Sequence, residues 1–165
     1  MNPAPAQLQE LLKQLVESKV DFVLVGAFAV NAWGYIRGTR DLDLVPNPER
    51  ENLSRLIEVL DRLGGRVKLG DKLLDPGSVE IFVRAGDKAY VVTELGDVDV
   101  LQGIPQIPRF DELDASARTA DLGGISVRVC SIEHLIEMKR AADRPMDRMD
   151  LEALKTAHPE AFEEE

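Results

Sequence analysis

The sequence predicts an α+β fold in which helices flank a mixed, mostly antiparallel sheet. Short runs of β-branched and apolar residues between glycine and proline turn signals indicate strands, and leucines at helical spacing indicate amphipathic helices. The chain has 165 residues, of which 44% are hydrophobic and 30% charged, an ordinary globular composition. This length suits about one domain, so we expect a single domain over residues 1–165 with a helical C-terminal segment at about residues 131–157.

Helices and strands alternate in the first part of the chain. Gly26 marks the end of one strand and the start of a helix, where the chain needs a tight turn. Pro46 and Pro48 end another strand and open a helix. The predicted elements are a helix at Gln7–Ser18, a strand at Val20–Val25, a short helix at Ala27–Trp33, a strand at Asp41–Val45 and a helix that includes Leu53–Leu60.

The remaining elements follow the glycine pair that closes this helix. Turn signals at Gly86-Asp87 and Gly96-Asp97 separate three strand-like runs, which we expect to form an antiparallel meander. Ser131 is a candidate N-cap for a late helix. The predicted elements are strands at Val79–Val83, Ala89–Thr93, Val98–Leu101 and Ile125–Cys130, and helices at Ile132–Ala142 and about Met146–Thr156.

Composition argues against several kinds of site and partner. Thirty acidic residues against 20 basic ones give a net charge of −10, which disfavours non-specific binding to nucleic acid or an anionic membrane. One cysteine and two histidines cannot build a zinc centre alone, so a catalytic metal would need carboxylate ligands. The N-terminus lacks the positive start of a signal peptide, and the longest nearly uncharged stretch, Phe22–Ile36, is shorter than a membrane helix. We therefore expect a cytoplasmic protein with no membrane partner.

Acidic residues on two predicted strands are the candidate metal ligands. Asp41 and Asp43 are two positions apart, so both carboxylates project from one face of their strand. Carboxylates this close repel each other unless a hard divalent cation such as Mg²⁺ lies between them. Asp97 and Asp99 repeat the pattern, and Asp99 is the preferred third ligand because it lies between two valines rather than in the turn. The alternative is that these acids only decorate a solvated strand face.

Gly26 is a candidate phosphate-binding position. Because it has no side chain and lies between a strand and a helix, backbone N–H groups there can approach a phosphate. The alternative is a tight turn that needs glycine for its backbone conformation alone.

The segment Phe22–Leu44, FVLVGAFAVNAWGYIRGTRDLDL, resembles the signature of small nucleotidyltransferases of the DNA polymerase β superfamily, above all the minimal and abortive-infection-type members. The family pattern is a strand, Gly-Gly or Gly-Ser, a short helix ending in glycine, and then Arg-x-Thr-x-Asp-hydrophobic-Asp-hydrophobic. By position, the resemblance implies a nucleotidyltransferase fold, a phosphate turn at Gly26 and Ala27, substrate-binding lead-in residues Arg37 and Thr39, and Asp41, Asp43 and Asp99 as catalytic metal ligands.

The C-terminal segment extends the resemblance. Cys130–Leu151 is similar to the family's late lysine and Asp-x-x-Asp helices. The residues implicated by this similarity are Lys139 and Asp147, both as substrate-binding residues, together with Arg144 and Asp150. The alternative is that Lys139, Arg144 and Asp147 only form a salt-bridged surface between two helices.

The resemblance implies a metal-dependent nucleotidyltransferase that moves a nucleoside monophosphate from an NTP, such as ATP, to an acceptor hydroxyl and releases pyrophosphate. Mg²⁺ or Mn²⁺ would be its cofactor, and RNA, a protein and a small molecule are the acceptor classes that suit the chemistry. Ala27 departs from the family's Gly-Gly or Gly-Ser pair. This departure supports an alternative, a catalytically degenerate binding or regulatory module of the same fold, with a partner protein in a toxin–antitoxin pair.

Overall fold

The computed structural model describes residues 6–163. Outside the described residues lie residues 1–5 and the last two glutamates. The prediction that the N-terminus is not a signal peptide depends mostly on residues 1–5. In chain order the elements are α1 (Ala6–Glu17), β1 (Phe22–Val25), α2 (Gly26–Ala32), β2 (Asp41–Pro46), α3 (Arg50–Arg62), β3 (Arg66–Leu69), β4 (Lys72–Leu74), α4 (Ser78–Ala85), β5 (Ala89–Thr93), β6 (Gly96–Val100), α5 (Phe110–Ser116), β7 (Arg118–Leu122), β8 (Ile125–Val129), α6 (Ile132–Ala142) and α7 (Pro145–Ala157), followed by a 3-10 turn at Pro159–Phe162.

The strands of residues 6–163 form one sheet in the order β4-β3-β5-β6-β2-β1-β8-β7. The pairs β2–β6 and β1–β8 are parallel. The other neighbouring strands are antiparallel. The predicted α+β fold with a mixed, mostly antiparallel sheet is therefore confirmed.

The apolar core lies behind the central strands. Helix α1 packs against β2, β6, β8 and α3, and its four buried leucines are Leu8, Leu11, Leu12 and Leu15. On β2, Leu42 and Leu44 are fully buried, while Asp41 and Asp43, which alternate with them, face the other way. Burial of each such leucine contributes about 1.5–3 kcal/mol. The core therefore fixes the strands from one side and leaves their acidic face to the cleft on the other.

The expected strand at Val79–Val83 is wrong, because this segment belongs to helix α4. Val79 and Val83 are buried and four positions apart, whereas Ile81 between them is 68% exposed. Strand alternation would have buried all three on one face, so the burial follows the helical period. Helix α4 ends at Gly86, whose φ of 72° is left-handed.

The other two strands of the expected meander are confirmed as the antiparallel pair β5–β6. The position on the far side of β5 is taken by β3 instead of the segment Val79–Val83. Four elements were absent from the sequence analysis: β3, β4, α5 and β7. They are short, and the three strands among them are largely exposed, so no continuous apolar pattern marks them in the sequence.

Candidate active site

The register of β2 and β6 brings three acids together. Asp43 lies opposite Asp99 in the parallel ladder, and Asp41 lies opposite Asp97. Asp41, Asp43 and Asp99 each offer a carboxylate oxygen, and these oxygens all lie within 4.8 Å of one another. Asp97 is exposed and lies outside this group. We call Asp41, Asp43 and Asp99 the carboxylate triad.

Gly26 packs directly against the triad. Val25 pairs with Asp43 across the antiparallel β1–β2 ladder, so the next residue begins α2 beside the Asp43 side chain. The φ of Gly26 is 68°, and an added Cβ would overlap the Asp43 carboxylate and lie 2.9 Å from its Cβ. Glycine is thus required here by the backbone and by the close approach of Asp43. Ala27, the following residue, is buried and lines the cleft.

The triad carries strong mutual repulsion. Burial raises the pKa of Asp43 to about 7, and the carboxylates of Asp99 and Asp41 add to the rise. Burial also raises the pKa of Asp99, although Lys88 opposes this effect. Three carboxylates in this arrangement favour a cation between them, because it would remove the repulsion that raises these pKa values.

Lys88 and Tyr90 lie beside Asp99, and the sequence analysis did not identify either residue. Lys88 Nζ is 3.6 Å from Asp99 Oδ2 and 4.6 Å from the centroid of the Tyr90 ring. Burial lowers the pKa of Lys88, but Asp99 and Tyr90 outweigh it and raise the pKa above its usual value. Tyr90 lies opposite Asp99 in the β5–β6 ladder. The turn at Gly96 fixes the register of the two strands. Aligning their sequences about this turn could therefore have identified both residues as neighbours of Asp99.

Helices α6 and α7, the residue before α7 and the loop between α2 and β2 together contribute five charged side chains at the edge of the cleft. Lys139 Nζ is 3.0 Å from Asp147 Oδ1 and 2.9 Å from Asp150 Oδ2. Arg144 Nε is 2.7 Å from Asp147 Oδ2, and Arg37 Nε is 2.8 Å from Asp150 Oδ1. We call Arg37, Lys139, Arg144, Asp147 and Asp150 the ion-pair cluster. Its formal charges sum to one net positive charge.

The ion pairs that the alternative assigned to Lys139, Arg144 and Asp147 are present, but only Arg144 among the three is exposed. Lys139, Asp147 and Asp150 are buried, and Asp150 is fully so. Burial alone would raise the pKa of Asp147, but hydrogen bonds from Arg144 and Lys139 outweigh it and lower the pKa to about 2. Asp147 is therefore ionised at neutral pH in partnership with these cations.

The loop between α2 and β2 holds the predicted lead-in residues. Thr39 Oγ1 donates to the carbonyl of Asp41 at 3.0 Å, which is a turn contact at the start of β2. The Arg37 guanidinium donates to both oxygens of Asp150 and to the carbonyl of Gly38. Both side chains line the cleft, but their contacts tie down the protein's own backbone and a buried acid.

These residues surround a cleft of about 1280 Å³. Its walls differ in chemistry. The triad and Gly26 form the floor, and cations from the loop and from helices α6 and α7 lie on one side. Tyr90 and the segment 101–107 add an apolar side that includes Leu101, Ile104 and Ile107.

The triad has the chemistry and spacing of a divalent cation site. Mg²⁺ and Mn²⁺ prefer oxygen ligands, and hard cations bind them at about 2.0–2.6 Å. Two oxygens on one ion therefore lie at most about 5.2 Å apart for the longest of these bonds, and about 4.2 Å apart for the roughly 2.0–2.1 Å bonds of Mg²⁺. The triad oxygens lie within 4.8 Å of one another, which meets the first limit and would need a small closing movement of the side chains to meet the second.

Solved structures with the same fold are nucleotidyltransferases. A lincosamide antibiotic adenylyltransferase, LnuA, with lincomycin bound is 16% identical, with a TM-score of 0.67 over 95% of this chain and 99% of that one. ANT(2")-Ia in complex with adenylyl-2"-tobramycin is 19% identical, with a TM-score of 0.59 over 94% of this chain and 87% of that one. A putative nucleotidyltransferase from Thermotoga maritima is 13% identical, with a TM-score of 0.55 over 88% of each chain. At these identities the likeness establishes the fold.

The chain belongs to the family described as nucleotidyl transferase of unknown function (DUF2204), which matches residues 4–163. This result confirms the expected membership of the nucleotidyltransferase superfamily. A comparison with curated protein sequences finds no significant match. No helix within residues 6–163 is long and apolar enough to cross a membrane.

Proposed function

We propose that this nucleotidyltransferase moves a nucleoside monophosphate from an NTP to a hydroxyl of a small-molecule acceptor and releases pyrophosphate, with Mg²⁺ or Mn²⁺ as cofactor. The observation that supports it most is the carboxylate triad, whose oxygens lie within 4.8 Å of one another on the floor of a large cleft. Family membership supplies the reaction class, and the triad supplies the chemistry that the class needs.

In this proposal Asp41, Asp43 and Asp99 hold the cofactor. Bound there, a divalent cation would supply Lewis-acid stabilisation of the charge that develops on the phosphate oxygens. Asp99 also accepts the proton of the attacking hydroxyl, directly or through water. The position of this carboxylate suits it to that role, since it lines the cleft beside the other two acids, where a hydroxyl that enters the cleft could reach it.

The Gly26 turn and the cations on the helix side of the cleft bind the triphosphate. Gly26 leaves room for the approach of a phosphate, because its position has no side chain between Asp43 and the cleft. Arg144 is the cluster cation best able to reach a ligand, since its side chain is 72% exposed. Lys139 and Arg37 lie deeper and contribute positive charge from within the ion-pair cluster. Fixed charges of this kind stabilise the leaving pyrophosphate.

A small molecule is the favoured acceptor for three reasons. The cleft of about 1280 Å³ exceeds a typical small-molecule pocket of roughly 300–1,000 Å³, which leaves space for an NTP and a second small ligand. The net charge of −10 opposes long nucleic acids. Two proteins of the same fold were solved with small antibiotic molecules, lincomycin and an adenylylated tobramycin.

The test is label transfer in total cell extract. The protein is incubated with Mg²⁺ and each α-³²P-labelled NTP in turn, and the products are separated into small-molecule, RNA and protein fractions. We expect label in the small-molecule fraction with the wild type and none with Asp43→Asn. Label in RNA or protein instead would contradict the choice of acceptor but retain nucleotidyl transfer.

A catalytically degenerate binding or regulatory module of the same fold, as one half of a toxin–antitoxin pair, is the second candidate. Ala27 favours it, because the family has glycine or serine there and alanine removes a hydroxyl donor from the phosphate turn. The retention of all three acids favours an enzyme instead. Mg²⁺-dependent NTP binding in equilibrium dialysis, without label transfer to any fraction, would select the binding module.

A further inference from the structure

Asp150 has no role in the proposed chemistry, although it is the most buried acid of the ion-pair cluster. Its side chain is fully buried on α7, and it lies behind the residues that line the cleft. Removal of charges from water is costly, and buried ion pairs replaced by apolar residues often leave a protein equally stable. Stability alone therefore does not explain why two cations converge on this carboxylate.

The contact between Asp150 and Arg37 is a two-point clamp. Arg37 Nε donates to Asp150 Oδ1 at 2.8 Å, and Arg37 Nη2 donates to Asp150 Oδ2 at 2.9 Å. The Lys139 ammonium binds the same carboxylate at 2.9 Å, which fixes its orientation. Paired donors of this kind define an angle as well as a distance. Arg37 therefore holds the loop at residues 33–40 in one position relative to α7.

The same loop is held at its other end by the residue that follows α7. His158 Nε2 lies 2.6 Å from the carbonyl oxygen of Trp33, and Trp33 Nε1 donates to the carbonyl of Cys130. On the far side of Arg37, Thr39 is hydrogen-bonded to the backbone of Asp41. A continuous set of contacts thus runs from α7 through the loop to the first acid of the triad.

We propose that Asp150 is a positioning residue, which acts through Arg37 to fix the loop at residues 33–40 and, with it, Asp41 and the cleft face of the ion-pair cluster. This inference rests on the proposed function for its effect on transfer. Its effect on the loop is independent of the reaction. A misplacement of catalytic groups by about 1 Å can slow a reaction on the order of 10²-fold.

The test replaces the clamp without changing the net charge. The double variant Arg37→Met/Asp150→Leu removes one positive and one negative charge and leaves Lys139 paired with Asp147. The matched control is Asp143→Asn/Arg148→Met, which removes an exposed pair at 2.8 Å between the residue that follows α6 and helix α7. Three quantities are measured: the melting temperature, hydrogen–deuterium exchange of residues 33–41 in the metal-free protein, and label transfer from the four α-labelled NTPs well below the melting temperature.

We expect faster hydrogen–deuterium exchange at residues 33–41 of the clamp variant, with the exchange of α1 unchanged. We also expect this variant to transfer label on the order of 10²-fold more slowly than the wild type. The control should match the wild type in both. Unchanged exchange in the loop would overturn the proposal. Unchanged transfer together with a lower melting temperature would also overturn it, because Asp150 would then be structural only.

Two further outcomes have defined meanings. If the double variant does not fold, Arg37→Lys takes its place, since it keeps the charge and loses the paired geometry; it should show the same local change in exchange and a transfer loss of roughly tenfold. If the wild type itself transfers no label, the proposed function fails. Loop exchange in the variants still decides the positioning role in that case, faster exchange supporting it and unchanged exchange refuting it.

Discussion

Asp43 is the central residue of the triad, with Asp41 on its own strand, Asp99 on the next strand and Gly26 against its side chain. Asp43→Asn removes one proposed metal ligand and one repelling charge together. We expect transfer to fall by at least about 10²-fold, comparable to the loss of a key electrostatic group. The metal-free protein should melt at the same temperature or higher, because the repulsion is relieved.

The matched control for this variant is Asp97→Asn, an exposed acid two positions from Asp99. It should leave transfer and the melting temperature unchanged. Transfer by Asp43→Asn at the wild-type rate would show that Asp43 is not a catalytic residue. An equal loss of transfer in Asp97→Asn would show that the total negative charge of this strand face matters, rather than the position of Asp43.

The raised pKa of Asp43 also predicts how stability depends on pH. Because the folded value of about 7 exceeds the ordinary 3.8, the protonated form is favoured by folding. Its contribution to stability is complete below about pH 4 and is lost as the pH rises through 7. In EDTA the melting temperature should fall by a few degrees between pH 5 and pH 8, and Asp43→Asn should show a shallower fall. A melting temperature that rises across this range would contradict the geometry of the triad.

Gly26 and Gly70 allow the steric requirement to be separated from the backbone requirement. Both have positive φ, 68° and 62°, but an added Cβ meets Asp43 at Gly26 and open space at Gly70. Each change to alanine should lower the free energy of unfolding by about 1–2 kcal/mol, because alanine is strained in left-handed backbone. Gly26→Ala should lower it by about 1–3 kcal/mol more, because the added Cβ overlaps Asp43. Urea denaturation of the two variants gives the difference, and equal losses would show that Asp43 moves aside freely.

For single residues, the sequence pattern is sufficient to identify the acids of the triad but not the cationic side chains beside them. Strand alternation alone places Asp41 and Asp43 on one face. Lys88 can be identified as a neighbour of Asp99 only when β5 is aligned with β6, since the contact between these side chains depends on the register of the two strands. The burial of Lys139 depends on how α6 and α7 pack, which a charged sequence of this kind does not reveal.

At the scale of elements, α6 and α7 are joined by the ion-pair cluster, so Lys139 is structural as well as a candidate ligand. Lys139→Met leaves two buried acids without their shared partner. Each acid keeps an arginine partner, so we expect a loss of about 1.5–3 kcal/mol in urea denaturation, as for a hydrogen bond to a charged group, along with loss of transfer. The exposed Arg148→Met, whose pair lies on the same helices, should cost at most about 1 kcal/mol. A small effect for Lys139→Met would mean that water enters the cluster.

In each element that the sequence predicted correctly, the apolar residues recur at one clear spacing. Helix α1 has four buried leucines in one stripe, and β2 alternates between core and cleft. Helix α4 was mistaken for a strand because its valines and Ile81 favour strands locally, while the deciding fact, the exposure of Ile81, belongs to the packed molecule. Strands β3, β4 and β7 are stabilised by their sheet partners rather than by an apolar pattern of their own.

At the scale of the whole molecule, the sheet order joins parts of the chain that are far apart in sequence. The triad comes from β2 and β6, the proposed phosphate-binding turn from the start of α2, and cationic lining residues from the loop before β2 and from the α6–α7 region. Resemblance over Phe22–Leu44 and Cys130–Leu151 was sufficient for the family and the fold. The segment 101–107 also lines the cleft, and no pattern in its sequence assigned it a role in the site.

The central claim is that the chain transfers a nucleoside monophosphate, and an NTP labelled at two positions tests it most directly. One reaction contains an NTP with ³³P at the α-phosphate and ³²P at the γ-phosphate, together with Mg²⁺ and the acceptor fraction. We predict that the product contains only the α label, that the γ label leaves as pyrophosphate, and that Asp43→Asn produces neither. Product that contains the γ label, or equal transfer by Asp43→Asn, would contradict the account.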